Sequence, residues 1–137
     1  MDKKKILLID DEDDFCFFVK LNLERTGKYK IFTTTDGMEG VKLARQLKPD
    51  LIFLDIVMPK MDGGRIAEML LEDESTKKIP LVFVTAVIRK GDLGGHGGKA
   101  GGRDFIAKPV KPETLIEKIE QYCPTKKERR RPIRYFD

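Results

Sequence analysis

Acidic, hydroxyl and ammonium side chains follow four apolar runs of this chain, and their types suit phosphoryl chemistry. Asp10 and Asp11 come directly after KILLI, and Asp55 comes after LIFL. Thr85 follows PLVFV, and Lys108 follows DFIA. Carboxylates are the ligands that hard divalent cations prefer, and a lysine ammonium is a compact charge for a phosphoryl oxygen. If the four runs are neighbouring strands, these groups are suited to hold a divalent cation and a phosphoryl group at an aspartate.

The apolar runs alternate with amphipathic segments, which predicts a β-α unit repeated along the chain. Strands are predicted at 5–9, 29–35, 51–54, 80–84 and 104–107, and helices at 13–25, from Asp36-Gly37 to Pro49, at roughly 63–73 and at 111–122. This alternation indicates a parallel sheet with helices on both faces and right-handed crossovers. Ligands of such sheets bind at the carboxyl ends of the strands, so the polar residues are expected on one rim.

Four motifs resemble the receiver domain of two-component response regulators. They are LLIDDED, LIFLDIVMPKMDGG, VFVTA and DFIAKP, and the similarity extends over roughly residues 4–123. The resemblance implies a flavodoxin-like, doubly wound, five-stranded parallel sheet of order 2-1-3-4-5 with helices on both faces. It divides the chain into a receiver domain at residues 1–123 and a basic tail at residues 124–137.

The resemblance also implies a role for each polar residue. Asp55 would be the phosphoacceptor, and Mg²⁺ would be held directly by Asp11, Asp55 and the backbone carbonyl of Val57. Asp10 would act on the cation through water. The plainer interpretation, that the acidic run only charges a helix N-terminus, applies best to Asp13 and Asp14.

Two further groups would contact the phosphoryl oxygens, and one aromatic residue would complete a switch. Lys108 would offer its ammonium and Thr85 its hydroxyl. On phosphorylation Thr85 would move toward the phosphoryl group, and Phe105 would swing into the space that it leaves. A core phenylalanine without a switching role is the alternative for Phe105. The Lys108-Pro109 bond is expected to be cis, as the family resemblance implies.

Two segments depart from an ordinary globular pattern. Residues 91–102 are rich in glycine, and each glycine costs a helix about 0.5–1 kcal/mol relative to alanine, so the fourth helix is expected to be irregular. Residues 124–137 contain six Lys or Arg against two acids, although the whole chain has a net charge of only +4. This tail is expected to be flexible, and contact with nucleic acid or an acidic partner is the alternative.

The bulk properties favour one cytoplasmic domain. A chain of 137 residues is the size of one ordinary domain, and no apolar run approaches the ~20 residues that span a membrane. The apolar part of the N-terminus is too short for a secretion signal. The two cysteines, Cys16 and Cys123, have no metal-binding spacing and are expected to be small buried or half-buried thiols.

The function predicted from these features is that of a stand-alone phosphoacceptor rather than a metabolic enzyme. Its partners would be a sensor histidine kinase and a downstream target or histidine phosphotransfer protein, and a homodimer remains open. One alternative is a pseudo-receiver that binds partners without phosphorylation, and another is a regulator that contacts nucleic acid through its tail. An aspartate-based phosphohydrolase is disfavoured, because Val57 occupies the place of its second aspartate.

Overall fold

The computed structural model describes residues 3–58, 61–86, 99–100 and 103–124. The strands and helices in chain order are β1 (Lys4–Ile9), α1 (Asp13–Glu24), β2 (Tyr29–Thr34), α2 (Gly37–Leu47), β3 (Leu51–Leu54), β4 (Val57–Met58), β5 (Met61–Asp62), α3 (Gly63–Glu72), β6 (Leu81–Thr85), β7 (Lys99–Ala100), β8 (Arg103–Ala107) and α4 (Pro112–Tyr122). The predicted strands and helices among these residues are all present, with ends displaced by no more than two residues.

Five strands form the parallel sheet in the order β2-β1-β3-β6-β8. Counted among these five alone, that order is 2-1-3-4-5, so the predicted topology is confirmed. Two short additions were not predicted. A hairpin of β4 and β5 follows β3, and β7 pairs antiparallel with β8 at the edge of the sheet. Neither could be seen in the pattern, because two-residue strands have no measurable periodicity.

The sheet is buried on both faces, as its continuous apolar strands require. In β1, Ile6 and Leu8 belong to one cluster and Leu7 and Ile9 to the other, because successive side chains of a strand point to opposite faces. The first cluster includes buried residues of α1 and α4: Val19, Leu23, Leu115 and Ile119. The second includes buried residues of α2 and α3: Val41, Ala44, Ile66 and Leu70. The helices therefore cover both faces in pairs.

Side-chain caps begin two of the helices. The carboxylate of Asp36 accepts hydrogen bonds from the backbone N–H groups of Met38 and Glu39 at the start of α2. The carboxylate of Asp62 accepts one from Gly64 at the start of α3. Such caps satisfy N–H groups that have no partner within the helix, and they fix where the chain leaves the sheet.

Two expectations fall largely outside the described residues. The first is the irregular fourth helix, because most of the glycine-rich segment lies outside the described residues. The described part of that segment, Lys99–Ala100, is a strand. In the tail only Pro124 is described, so the division of the chain at residue 123 and the flexibility of the tail stay predictions. Among the helices that the structure describes, none combines the length and the apolar character that crossing a membrane requires.

Candidate functional site

Three carboxylates meet at the carboxyl ends of β1 and β3. The two strands are paired so that Ile9 lies opposite Leu54, and the backbone N–H of Asp55 donates to the carbonyl of Ile9 at 2.9 Å. One carboxylate oxygen from each of Asp10, Asp11 and Asp55 lies within 4.8 Å of the other two. Hard cations bind such clusters of oxygen donors. The structure therefore brings together the acidic residues that the motifs singled out.

The electrostatics of this acidic cluster favour a bound cation. Asp10 is fully buried and Asp55 is only 3% exposed. Burial raises the pKa of Asp10, while burial and then the charge of Asp10 raise the pKa of Asp55 to about 7. Loss of water around the charged carboxylate is the main cause of both shifts, and repulsion by the neighbouring carboxylate of Asp10 adds to the shift of Asp55. A divalent cation at this position would remove that repulsion, so the donor set fits the group that the motifs imply.

Lys108 reaches the acidic cluster from β8. The parallel pairing of β6 and β8 places Ala107 opposite Thr85, and the N–H of Lys108 donates to the carbonyl of Thr85 at 2.9 Å. The Nζ atom lies 2.8 Å from Oδ2 of Asp10 and 3.8 Å from Oδ2 of Asp55. The contact with Asp10 is an ion pair whose angle falls outside hydrogen-bond geometry. The Lys108-Pro109 bond is cis, as predicted.

The charge on Lys108 is secured by its neighbours. Burial alone would lower the pKa of this lysine, but the carboxylates of Asp10, Glu12 and Asp55 outweigh it and raise the pKa above the usual value. The ammonium therefore persists at neutral pH in a side chain that is only 9% exposed. An always-charged group at this place can neutralise charge on a phosphoryl oxygen.

Thr85 and Phe105 lie on the adjacent strands β6 and β8. Thr85 is fully buried, and its hydroxyl has no hydrogen-bond partner among the described residues. A buried polar atom without a partner is uncommon and calls for an explanation. Phe105 is partly buried, and it packs against the core on the α2 and α3 side of the sheet. The geometry is compatible with the predicted switch, which stays a prediction.

Val57 is placed by the hairpin after β3. Its backbone N–H donates to Oδ1 of Asp55 at 3.1 Å, and its side chain is 59% exposed. The backbone of Val57 therefore borders the acidic cluster, and the predicted metal ligand of this residue is also a backbone group. The role of its carbonyl as a metal ligand stays a prediction.

Two neighbours of Lys108 were missed by sequence reasoning. The carboxylate of Glu12 contacts Nζ of Lys108, and the ring of Phe15 lies beneath the same atom with its centroid 4.5 Å away. Glu12 is part of the LLIDDED motif, but nothing in the motif distinguishes it from a helix-capping acid. Phe15 fits the apolar stripe of α1, which indicates burial and gives no sign of a contact with a lysine.

The thiol of Cys16 lies close to the acidic cluster, and we expect it to be unreactive. Its Sγ donates to the carbonyl of Asp10 at 3.4 Å. Burial, and then the charges of Asp10 and Asp13, raise its pKa to about 12. Since the thiolate is the nucleophile, iodoacetamide at pH 8 should modify Cys123 first and Cys16 only after unfolding. Peptide mapping of the alkylated protein measures this, and rapid labelling of Cys16 in the folded protein would contradict it.

The comparison with known sequence families decides the class of this domain. The model of the response regulator receiver domain matches residues 6–120. The chain belongs to the response regulator receiver family. This match confirms the resemblance seen in the motifs at the level of the family. Receiver domains are signalling phosphoacceptors and are generally not metabolic enzymes.

Relatives of this receiver domain include short and long proteins. It is 36% identical to protein PilH of Pseudomonas aeruginosa over 115 residues, which is 84% of this chain and 93% of PilH. It is 37% identical to the DNA-binding dual master transcriptional regulator RpaA of a Synechocystis strain, again over 84% of this chain. The match covers only 47% of RpaA, so this chain spans about half the length of that regulator.

Solved structures of receivers share the fold. The chemotaxis protein CheY4 of Vibrio cholerae superposes with a TM-score of 0.77 at 25% identity, over 88% of this chain and 99% of CheY4. The receiver domain of sensor histidine kinase PA1611 from Pseudomonas aeruginosa superposes with a TM-score of 0.76 at 25% identity, over 88% of this chain and 98% of that one. In that structure a magnesium ion is coordinated in the active-site cleft.

Proposed function

We propose that this receiver domain is the phosphoacceptor of a two-component phosphorelay and that Asp55 takes the phosphoryl group from a sensor histidine kinase. One observation carries the proposal. Asp10, Asp11 and Asp55 converge at one strand rim, and the ammonium of Lys108 lies against Asp10 and Asp55. A pseudo-receiver that binds partners without phosphorylation would have no use for this complete and energetically costly set of charges.

Mg²⁺ is the proposed cofactor of this site. Asp11, Asp55 and the backbone carbonyl of Val57 would hold it directly, and Asp10 would act through water. When bound, the cation supplies charge neutralisation for the carboxylates and for the phosphoryl oxygens. The argument rests on the oxygen-only donor set, and on the burial and the charge of Asp10 that together raise the pKa of Asp55.

Phosphoryl transfer requires little covalent chemistry from the protein. A carboxylate oxygen of Asp55 attacks phosphorus while the bond between phosphorus and the kinase imidazole breaks, and the imidazole nitrogen then takes a proton from water. Lys108 donates to one phosphoryl oxygen through its ammonium. Thr85 donates to another through the hydroxyl that has no other partner among the described residues. These groups position and neutralise the phosphoryl group as it is transferred.

The output is a change in the surface that partners recognise. When Thr85 turns toward the phosphoryl oxygen, it vacates space that Phe105 can enter. Phosphorylation would shift an existing equilibrium between these two arrangements and would not create a new one. The proposed recipient is a downstream protein target or a histidine phosphotransfer protein, the proposed compartment is the cytoplasm, and self-association on phosphorylation is a further proposal that sedimentation can test.

The decisive experiment is intact-mass analysis after incubation with acetyl phosphate. We expect the mass of one added phosphoryl group in the presence of Mg²⁺ and none in the presence of EDTA. Reduction of the acyl phosphate with borohydride, followed by peptide mapping, should place the modification on Asp55. Failure to gain a phosphoryl group under conditions where calorimetry shows Mg²⁺ binding would overturn the proposal and would favour the pseudo-receiver.

A further inference from the structure

Lys108 has two neighbours that phosphoryl transfer onto Asp55 does not by itself require. Glu12 immediately precedes α1, and its carboxylate contacts the ammonium. Phe15 lies in the first turn of α1, and its ring faces the same ammonium at 4.5 Å. Carboxylate oxygens of Asp10 and Asp55 lie 2.8 Å and 3.8 Å from Nζ of Lys108. Together with Glu12 and Phe15 they enclose this atom. The enclosure joins the fifth strand of the parallel sheet to the start of the first helix.

We propose that Glu12 and Phe15 are positioning residues for Lys108, with opposite effects on phosphorylation. Glu12 holds the ammonium among carboxylates before the phosphoryl group arrives, and Phe15 keeps it within reach of Asp55 when Glu12 releases it. This inference rests on the proposed function and deepens it, because it assigns control of the phosphoryl-binding lysine to the start of α1.

The position of Glu12 makes it a competitor for the ammonium. Lys108 has one positive charge, and it must turn part of that charge toward a phosphoryl oxygen during transfer. The Glu12 side chain is 56% exposed, whereas those of Asp10 and Asp55 are 0% and 4% exposed. An exposed pair is weak and reversible, because water replaces the contact at little cost. Removing the charge of Glu12 should therefore release Lys108 for the phosphoryl group.

The ring of Phe15 has the opposite role. An aromatic face attracts an ammonium without accepting its proton and without a fixed hydrogen-bond direction. The ammonium can therefore move across the ring toward Asp55 while it stays stabilised. The orientation of the ring is supported by Phe18, whose ring stacks on it at 6.4 Å with an interplanar angle of 24°. Without the ring, Lys108 would keep its charge but lose the surface that confines it.

The test compares four variants with the wild type in acetyl phosphate reactions at saturating Mg²⁺. In this reaction the bond between the acetyl oxygen and phosphorus breaks, acetate leaves with the electron pair, and the Asp55 oxygen bonds to phosphorus. Glu12→Gln should react about two- to fivefold faster, which is the scale of a weak exposed ion pair. Phe15→Leu should react about three- to tenfold more slowly, and Phe15→Tyr should restore the rate.

The matched control for Glu12 is Asp13→Asn, which removes an exposed carboxylate from the first turn of α1. It reports any effect of net charge on Mg²⁺ binding or on donor approach, and its rate should stay near that of the wild type. Urea denaturation of every variant separates positioning from stability. A purely structural role for Phe15 would lower the stability of Phe15→Leu without a rate change in the protein that remains folded.

A second readout does not depend on phosphorylation. Protons that lie over an aromatic ring resonate upfield, so the methylene group next to Nζ of Lys108 should show such a shift in the wild type, in Phe15→Tyr and in Glu12→Gln. The shift should disappear in Phe15→Leu. Carbon-proton correlation spectra measure it, and Lys108→Arg assigns the signal.

The outcomes separate this inference from the proposed function. A wild type that is not phosphorylated overturns both. A wild type that is phosphorylated normally while Glu12→Gln and Phe15→Leu react at its rate overturns the inference alone. Rate changes of the same sign in these two variants, or an unshifted Lys108 signal in the wild type, would also overturn it.

Discussion

Replacing Asp55 with asparagine is expected to abolish phosphorylation and, in the same variant, to stabilise the metal-free protein. The loss of phosphorylation follows because an amide cannot take the place of the attacking carboxylate. The gain in stability follows because Asp55 is 3% exposed and lies beside the buried carboxylate of Asp10. The two effects have one origin, which is that the charge needed for function is costly to the folded state.

The sign of the stability effect comes from the pKa of Asp55. Its ordinary value of 3.8 is raised to about 7 in the folded protein. Between these values the folded protein binds a proton that the unfolded chain has released, so stability falls as the pH rises from about 4 to 7. Above pH 7 this loss of folding stability is fully present and is on the order of 4 kcal/mol, because one pKa unit corresponds to about 1.4 kcal/mol. The Asp55→Asn variant should lack this dependence.

Urea denaturation in EDTA between pH 4 and pH 8 measures the effect. Asp55→Asn should be more stable than the wild type at pH 7.5, and the difference should shrink toward pH 4. Asp14→Asn is the control, because it removes an exposed carboxylate from α1 and should leave the pH dependence unchanged. A variant that is no more stable than the wild type at pH 7.5 would show that Asp55 carries no such penalty.

The same experiment with Mg²⁺ tests the cofactor proposal. A ligand that binds only the folded protein stabilises it by about 2.7 kcal/mol at a concentration one hundred times its Kd. Mg²⁺ should therefore reduce the difference between the wild type and Asp55→Asn, because the variant has lost a proposed ligand. An equal response of both proteins to Mg²⁺ would argue against Asp55 as a ligand.

Replacing Gly63 with alanine is expected to cost about 3 kcal/mol of stability and to weaken Mg²⁺ binding. A Cβ atom at this residue would lie 2.5 Å from the carbonyl oxygen of Asp55, 2.5 Å from Cα of Ile56 and 2.6 Å from the carbonyl oxygen of Ile56. All three are backbone atoms of the segment that leads from Asp55 to Val57. Overpacking of this kind forces backbone shifts, and the shift would occur within the site itself.

Gly64→Ala is the matched control for Gly63→Ala. At Gly64 the nearest atom to an added Cβ is Oδ1 of Asp62 at 3.1 Å, which belongs to a side chain and can move. Alanine favours a helix over glycine by up to about 1 kcal/mol, so Gly64→Ala should be neutral or stabilising. Thermal unfolding and calorimetric titration with Mg²⁺ compare the two variants. Equal stability and equal Mg²⁺ affinity of the two variants would show that neither property depends on the close approach of α3 to the site.

The sequence by itself determined the elements, their order and the rim on which the polar residues meet. Apolar runs such as KILLI and LIFL indicate strands buried on both faces, and the helical stripes between them require crossover connections. In such a sheet every residue that follows a parallel strand lies at the same edge. That geometry places Asp10, Asp55 and Lys108 on one rim, and the receiver resemblance supplies the order of their strands along it. The structure brings the three side chains together.

Only the tertiary structure decided the environment of those residues. The contact of Lys108 with Glu12 joins positions 96 residues apart, and no local pattern reports such a pair. The raised pKa of Asp55 comes from burial and from Asp10, which depend on how β1 and β3 are covered. The close approach of Gly63 to the backbone of Asp55 and Ile56 depends on where α3 begins. Periodicity determines which face of an element is buried, whereas distances between elements emerge only when their side chains pack.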